Sequence, residues 1–188
     1  MLIDVRIHGT RPVLPNRLSE RVLPKTASPA EHAELRVYRM SPSEQYPDGE
    51  LFIPGDNLFQ ALIEAGRHHK LGKARMTTNA NTMVPGLLDV LDRCLQLSTD
   101  EFSPQQLRHQ DPNDANNTLV SWYPRVMKWH ICFTLSFDED MIHDNQVREL
   151  MDTAGEKIGI CYGRASRRTK SGHPGYGTFM VTKWEVQK

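Results

Sequence analysis

A glycine-rich, basic segment near the C-terminus carries the most distinctive chemistry of the chain. Residues 159–177 contain five glycines and four Arg or Lys side chains. Glycine adopts positive φ and permits close backbone approach, so successive amides in such a segment can point at phosphate oxygens. Arginine adds forked donors for phosphate, and lysine adds a point charge. The composition predicts a phosphate-binding loop, and a solvated connection is the plainer alternative.

The loop also contains aromatic rings. Tyr176, together with Tyr162, offers a surface for an unstacked base, a contact worth roughly 1–3 kcal/mol per base. This favours a single strand, whose bases can be splayed out. The residues of the loop that we assign to nucleic-acid binding are Gly163, Arg164, Arg167, Arg168, Lys170, Gly175, Tyr176 and Gly177.

A second candidate anion site is the turn Pro54-Gly55-Asp56-Asn57, which precedes a run with helical spacing. The first turn of a helix has free amides and the positive end of the helix dipole, so it can bind phosphate. Gly55 and Asn57 are the candidate contacts. Asp56 is itself an anion at this place, so capping by its side chain competes with phosphate binding. A capped helix that only packs is the structural alternative.

A basic segment follows the same helix. Arg67, Lys70, Lys73 and Arg75, with two histidines between them, lie within nine residues. Cations near a helix C-terminus stabilise its dipole, which is a sufficient structural reason for some of them. Their density favours contact with a polyanion. Two further candidate contacts, Arg125 and Lys128, flank the start of a later strand.

The candidates for catalysis are few. His173 lies in the glycine-rich loop and has the side chain for general acid/base chemistry in RNA cleavage, but a binding or incidental role is the simpler interpretation. No HxxxH or CxxC spacing occurs, so we expect neither a metal nor a cofactor. The sequence therefore favours a binding protein over an enzyme.

Bulk composition fits one globular domain over residues 1–188. The 23 basic residues equal the 23 acidic ones, so any affinity for a polyanion must come from patches of segregated charge. Three widely spaced cysteines argue against a disulfide framework, and Cys132 lies in an apolar run that predicts a core position. No apolar run is long enough for a membrane span, and the expected location is the cytoplasm.

The elements that position these residues follow from periodicity. Alternation predicts strands, and apolar repeats at 3–4 residues predict helices. Asp56 or Asn57 is the expected N-cap of the first helix. The predicted elements are a strand at 2–8, a strand or helical turn at 32–40, a strand at 51–53 with a helix to about 69, an undecided apolar segment at 87–97, a strand at 126–137, a helix at 143–157 and a strand at 178–186.

This order predicts an α+β fold, specifically a ferredoxin-like or RRM-like β-α-β-β-α-β domain with loop insertions. The insertions are expected at about residues 10–32 and 98–118, where proline and polar residues are concentrated. Both are predicted to be loops or projecting lobes. Fold alone does not give function.

Two stretches resemble a known family. Residues 53–67 read IPGDNLFQALIEAGR, and residues 159–181 read GICYGRASRRTKSGHPGYGTFMV. They resemble the strand-turn-helix segment and the C-terminal glycine-rich loop of the RAMP superfamily of CRISPR effector proteins, and they come in the same order. The similarity is greatest to the backbone (repeating) crRNA-binding subunit, and compact phage or mobile-element members are also similar. The departures are Asp56, Asn57 and Phe59 in the first stretch and Cys161 with Tyr162 in the second.

The resemblance implies a function. A backbone subunit binds a single-stranded guide RNA (crRNA-like) by phosphate contacts and stacking, multimerises along it with copies of itself, and joins other effector subunits. Two alternatives stay open, a metal-independent endoribonuclease that processes guide precursor RNA through His173, and a phage single-stranded DNA-binding or recombination accessory protein. The resemblance also draws attention to Asp111 and Asp114, because some backbone subunits cut RNA with a loop acid, although Asp-Pro-Asn-Asp is ordinary turn composition.

Overall fold

The computed structural model describes residues 1–19, 23–24, 26–44, 48–111, 114–167 and 175–187. Helices and antiparallel strands are both present, which confirms the prediction of an α+β fold. In the described part of the chain, no helix combines the length and the apolar character needed to cross a membrane.

Helices are interspersed among the strands along the chain. The α-helices are α1 (Pro29–Glu34), α2 (Gly55–Ala65), α3 (Val84–Leu87) and α4 (Asp144–Thr153). The strands are β1 (Leu2–Gly9), β2 (Tyr38–Arg39), β3 (Leu51–Pro54), β4 (Lys70–Leu71), β5 (Ala74–Arg75), β6 (Leu88–Val90), β7 (Cys94–Gln96), β8 (Ser103–Asp111), β9 (Asp114–Arg125), β10 (His130–Phe137) and β11 (Phe179–Gln187). The structure also has short 3-10 helices at Gly66–His68 and Ala165–Arg167 and a π-helix at Ala154–Ile158.

The main sheet has four strands in the order β11-β1-β10-β6, and each neighbouring pair is antiparallel. Along the chain, α2 lies between β1 and β6, and α4 lies between β10 and β11. Both helices contribute to one large core with the inward side chains of the sheet. One face of the sheet is therefore covered by helices.

The two central strands alternate as their sequences predict. Ile3, Val5 and Ile7 of β1 are buried, and the intervening side chains are more exposed. On β10 the same period buries Ile131 and Phe133 and turns the side chain between them outward. The core position predicted for Cys132 is therefore wrong, because Cys132 is exposed on the opposite face of the sheet.

Helix α2 buries an apolar stripe that includes Leu58, Leu62 and Ala65. It begins two or three residues earlier than an Asp56 or Asn57 cap would allow. Its N-cap is Pro54, with no side-chain capping bond, and Asp56 lies within the first turn. The predicted cap is wrong because β3 runs into the helix without an intervening polar residue.

Helix α4 buries Val147, Leu150 and Met151. It continues into the π-helix at Ala154–Ile158, where the Gly159 amide donates to the Ala154 carbonyl at 2.8 Å. The wider turn ends the helix at the first residue of the glycine-rich loop. The helix predicted over 143–157 is therefore present, with a change of helical type in its last turn.

The segment expected as a loop or projecting lobe at 98–118 contains part of a long β-hairpin. Strand β8 pairs with β9 from Ser103 opposite Arg125 to Asp111 opposite Asp114. A small second core formed by Leu14, Leu107, Tyr123 and Tyr176 fixes its base. The strand predicted over 126–137 is accordingly shorter, since Val126 forms an isolated bridge with Val13 and β10 begins at His130.

The other undecided or irregular segments also acquire structure. Residues 32–40 contain the end of α1 and then β2, so both interpretations of that segment hold in part. Helix α1 begins with a capping box in which Ser28 and Glu31 bond reciprocally. Residues 87–97 supply β6 to the main sheet and β7 to a second sheet of order β2-β3-β7.

Candidate nucleic-acid interface

The basic segment after α2 folds into a tight hairpin. Strands β4 and β5 pair Lys70 with Arg75, and Gly72 with Lys73 forms the two-residue turn. Gly72 has φ of +60°, which the primed hairpin turns require. The hairpin brings together the four predicted contacts that the sequence spreads over nine residues. These exposed side chains are Arg67, Lys70, Lys73 and Arg75.

The basic hairpin (residues 66–75) is attached to the helices at its base. The His69 ring Nε2 lies 2.7 Å from the Thr153 hydroxyl at the end of α4. The Met76 amide donates to the His69 carbonyl at 3.0 Å, and the Thr77 amide donates to the Gly66 carbonyl at 3.1 Å. Burial lowers the pKa of His69, although Glu149 opposes the shift. The neutral imidazole is therefore a fixed support beneath the exposed cations.

The charge of this hairpin is of one sign. Residues 65–76 contain no Asp or Glu. The Arg75 guanidinium donates to the Arg67 carbonyl at 3.4 Å, which keeps the two ends of the segment close. Cations held at this density in a segment that contains no acid create a positive patch that attracts a polyanion.

The described part of the glycine-rich loop is folded against the N-terminal segment. The Ile160 amide donates to the Gly177 carbonyl at 3.0 Å, and the Tyr176 amide donates to the Gly163 carbonyl at 2.9 Å, so the two limbs of the loop bond to each other. The Gly177 amide donates to Pro12 and the Tyr162 amide to Leu14. These three amides at 162, 176 and 177 are used within the protein and do not point at a ligand.

Gly177 shows why the loop needs glycine. Its φ is +68°, and an added Cβ would collide with the Ile160 carbonyl. The close packing of the two limbs, rather than approach to a phosphate, accounts for this glycine in the structure. Gly163 and Gly175 also have positive φ, at +65° and +77°.

The aromatic residues of the loop are part of the second core. Tyr176 is only 7% exposed. The Tyr162 ring stacks on Tyr123 of β9 with centroids 4.4 Å apart, and Arg36 lies over the Tyr123 ring at 4.6 Å. The stacking role predicted for Tyr176 is wrong in this conformation, because a base cannot reach a ring that is buried.

Arg164 connects the loop to α2. Its guanidinium lies 2.8 Å from the Glu64 carboxylate, and the two side chains are 12% and 24% exposed. Its predicted phosphate contact therefore competes with an ion pair inside the protein. Arg167 ends the 3-10 helix at Ala165–Arg167. Arg168, Lys170 and His173 lie outside the described residues.

At the N-terminus of α2 the Gly55 amide is used within the protein. Gly55 is buried, and its amide donates to the Arg93 carbonyl at 2.9 Å. Asn57 is half-buried in the first turn. The predicted phosphate contact at this turn stays a prediction.

The remaining two candidates lie apart from the hairpin in sequence. Arg125 closes the base of the β8–β9 hairpin, where its guanidinium donates to Gln105 Oε1 at 2.9 Å. Lys128 is exposed between β9 and β10. Arg125 therefore has a structural partner that the sequence did not reveal.

The basic hairpin and the glycine-rich loop lie at the same end of the molecule. One follows the C-terminus of α2 and the other follows the π-helix after α4, and these two helical segments pack together. The His69–Thr153 bond joins the basic hairpin to the end of α4, and the Arg164–Glu64 pair joins the glycine-rich loop to α2. The structure thus brings the two strongest predicted sites into one region.

Sequence reasoning missed several residues that shape this region. Glu64 gave no signal as the partner of Arg164, because pairing over a hundred residues leaves no local pattern. The β8–β9 hairpin did leave one, since Asp111-Pro-Asn-Asp114 is a sequence suited to a tight turn. His8 and His130, directly opposite each other on β1 and β10, were also not predicted as a pair.

Comparison with known proteins finds similarity among solved structures. No protein-family model matches the chain, and no curated protein matches it. Among solved structures, it is similar to a chain in the cryo-EM structure of the Type III-B Cmr-beta bound to cognate target RNA, with a TM-score of 0.58 and 14% identity. The match covers 100% of this chain and 60% of the other. At this identity the similarity is one of fold.

Proposed function

We propose that this protein is a cytoplasmic, non-catalytic subunit that binds single-stranded RNA in a CRISPR-type, RNA-guided effector complex. It acts as a RAMP backbone subunit, holds a guide RNA by its phosphates, and multimerises along it with copies of itself and other effector subunits. The observation that carries the proposal is the basic hairpin, whose four exposed cations follow α2, the helix to which Arg164 of the glycine-rich loop is joined by its ion pair with Glu64.

The electrostatics of the hairpin support phosphate binding. The four cations have no acid among residues 65–76, whereas Arg164 is paired with Glu64. Phosphate contacts of this kind fix the position of a strand and carry no base specificity. That suits a subunit that must accept any guide sequence.

The fold supports the same proposal. In chain order, the four strands of the main sheet are β1, β6, β10 and β11, with α2 after the first and α4 after the third. We infer a ferredoxin-like β-α-β-β-α-β domain over residues 1–188, with insertions that form α1 and the β8–β9 hairpin. The likeness to a chain of Type III-B Cmr-beta is consistent with that class of complex.

The proposed RNA contacts differ in strength. Arg67, Lys70, Lys73 and Arg75 form the main phosphate site, and Lys128 adds an exposed charge. Arg168 and Lys170, which lie outside the described residues, stay predicted contacts. Gly163, Gly175 and Gly177 shape the loop, while Arg164 and Arg125 act by holding the loop and the β8–β9 hairpin in place.

Fluorescence anisotropy with labelled single strands tests the phosphate site. If all four hairpin cations contact phosphates, they contribute about −2.8 to the slope of log K against log salt, because each contact to a single strand contributes about −0.7. That contribution alone lowers the affinity about 50-fold between roughly 50 and 200 mM salt. We expect Lys70→Glu/Lys73→Glu to make the slope shallower by about 1.4 and to weaken binding for every sequence.

The matched control is Arg17→Glu/Arg108→Glu, which makes the same change in charge at two exposed residues outside the basic hairpin and the glycine-rich loop. It should bind much as the wild type does. Equal loss in both variants would show that only net charge matters. Absence of salt-sensitive binding to RNA and DNA alike refutes the proposal.

Multimerisation has its own measurement. Light scattering on complexes with RNAs of increasing length should show mass rising in steps as further copies bind.

Competition with a DNA oligonucleotide of the same sequence separates RNA binding from the single-stranded DNA alternative. Intact RNA after incubation with EDTA is expected, and cleavage lost in His173→Ala would instead favour the endoribonuclease.

A further inference from the structure

The face of the main sheet opposite α2 and α4 has a row of exposed side chains at one end. His8 of β1 lies directly opposite His130 of β10 on one side and Met180 of β11 on the other. Residues that are directly opposite on neighbouring strands share a face. His8 is exposed, His130 is half-buried, and Met180 is 55% exposed. Three adjacent strands thus form a row of two aromatic rings and a thioether.

The two imidazoles already lie as a pair. Their ring centroids are 5.2 Å apart with an angle of 32° between the planes. The His130 backbone is fixed by two bonds with Ser98, its amide donating to the Ser98 hydroxyl at 3.0 Å and its carbonyl accepting from the Ser98 amide at 3.1 Å. The pair is therefore a preorganised aromatic surface open to solvent.

Cations border the row on one side. Arg6 is two residues before His8 on the same face, and Lys183 of β11 lies opposite Arg6. The Arg6 Nε donates to the Cys132 sulfur at 3.2 Å, which holds the guanidinium beside the row. Lys183 pairs with Glu185 at 2.8 Å, and Glu185 lies opposite Asp4 farther along the face. The acids are thus separated from the histidines by a line of cations.

The protonation of His130 suits stacking. Burial, together with the nearby His8 and Arg6, lowers the pKa of His130. A neutral ring at physiological pH stacks on a base without the cost of desolvating a charge. A metal is the other ligand for a histidine pair, but the described residues contain no group of three His, Cys, Asp or Glu side chains placed to hold one. A third strong ligand is what such a site needs.

We propose that Met180, His8 and His130 form a stacking site for one or two unpaired bases of single-stranded RNA, with Arg6 placed to contact the adjoining phosphate. The inference rests on the proposed function for its ligand. It uses a different face of the molecule from the basic hairpin. Aromatic side chains on the neighbouring strands of a four-stranded sheet are a general means of holding splayed bases.

A short RNA containing 2-aminopurine tests the site, because fluorescence of this base changes when it stacks. We expect His8→Ala/His130→Ala to abolish the change and to weaken binding by about fivefold or more, since each stacked base is worth roughly that factor at the low end. The salt slope should stay as in the wild type. His8→Tyr should keep the fluorescence change, and it serves as a second variant if the double alanine variant is unstable.

His32→Ala is the control, because it removes an imidazole from α1 and leaves the sheet intact. If the RNA binds with an unchanged fluorescence response in the double variant, and Lys70→Glu/Lys73→Glu still weakens binding, this inference is wrong and the proposed function stands. If the wild type binds no RNA, both fail. Zn²⁺ that binds tightly through both histidines and is unaffected by RNA would also overturn the stacking site.

Discussion

The ion pair between Glu64 and Arg164 should hold the glycine-rich loop against α2. Glu64→Gln keeps the shape of the side chain and removes the charge. The paired atoms are 2.8 Å apart, and the side chains are 24% and 12% exposed. With an effective dielectric constant of about 20, the attraction is about 6 kcal/mol before desolvation is subtracted. Hydrogen bonds to charged groups contribute about 1.5–3 kcal/mol net, and we expect a loss of that size.

Thermal unfolding measures the loss. For a chain of this size each kcal/mol corresponds to roughly 2–4 °C, so the midpoint should fall by about 3–12 °C. The control is Glu185→Gln, which breaks the Lys183–Glu185 pair. That pair has the same 2.8 Å distance, but its side chains are 45% and 63% exposed. An exposed pair contributes at most about 1 kcal/mol, so the control should change little.

A double-mutant cycle completes the test. Arg164→Met alone leaves the Glu64 carboxylate partly buried without this partner, so it should cost at least as much as Glu64→Gln. The double variant should cost less than the two single losses added together. Additive losses, or a Glu64→Gln effect no larger than that of Glu185→Gln, would refute the role of this pair.

Three further results are expected. Gly177→Ala should destabilise the protein by more than about 2 kcal/mol, because it combines positive φ with a backbone collision, whereas Gly72→Ala, with φ of +60° and open space, should cost only about 1–2 kcal/mol. Because the folded chain lowers the pKa of His69, the unfolded chain binds the proton first, so His69 should contribute stability above about pH 6.5 and lose it as the pH falls. Tyr162→Leu should remove the stack on Tyr123 and speed amide hydrogen exchange in β8 and β9.

Each of these has a contradicting result. Equal unfolding free energies for the two glycine variants would mean that the loop relaxes around an added methyl group. His69→Gln should flatten the acid side of the stability profile, and an unchanged profile would assign the pH dependence elsewhere. Exchange rates in β8 and β9 that match the wild type in Tyr162→Leu would show that the hairpin base does not depend on the stack.

Local sequence signals predicted the parts of the fold that depend on local periodicity. The alternation of Ile3, Val5 and Ile7 and the helical stripe of α4 each determine one buried face, so β1 and α4 were found close to their bounds. The start of α2 was not predicted correctly, because Pro54 serves as its N-cap without a side-chain bond. Cys132 was misplaced because its apolar character was weighted above the period of two that turns it outward.

The candidate site also has a part that the sequence predicted and a part that it did not. The basic hairpin was predictable, since its cations and the Gly72 turn are contiguous in sequence. The pairing of Arg164 with Glu64 and the burial of Tyr176 were not, because each depends on residues more than fifty positions away in the sequence. Composition identified the glycine-rich loop as special, but only the packing of the loop on Pro12 and Leu14 shows that its backbone is used inside the protein.

The position of β1 at the centre of the main sheet has a consequence for how the protein is made. Leu2 lies opposite Ser136 on one side and Gln187 on the other. During synthesis, the two edges of β1 therefore stay unpaired until first β10 and then β11 have been translated. Folding dominated by such distant pairings is slow, and an unpaired strand edge in the nascent chain is prone to aggregation. We expect the yield of native protein to depend on translation speed and chaperones more strongly than its final stability would suggest.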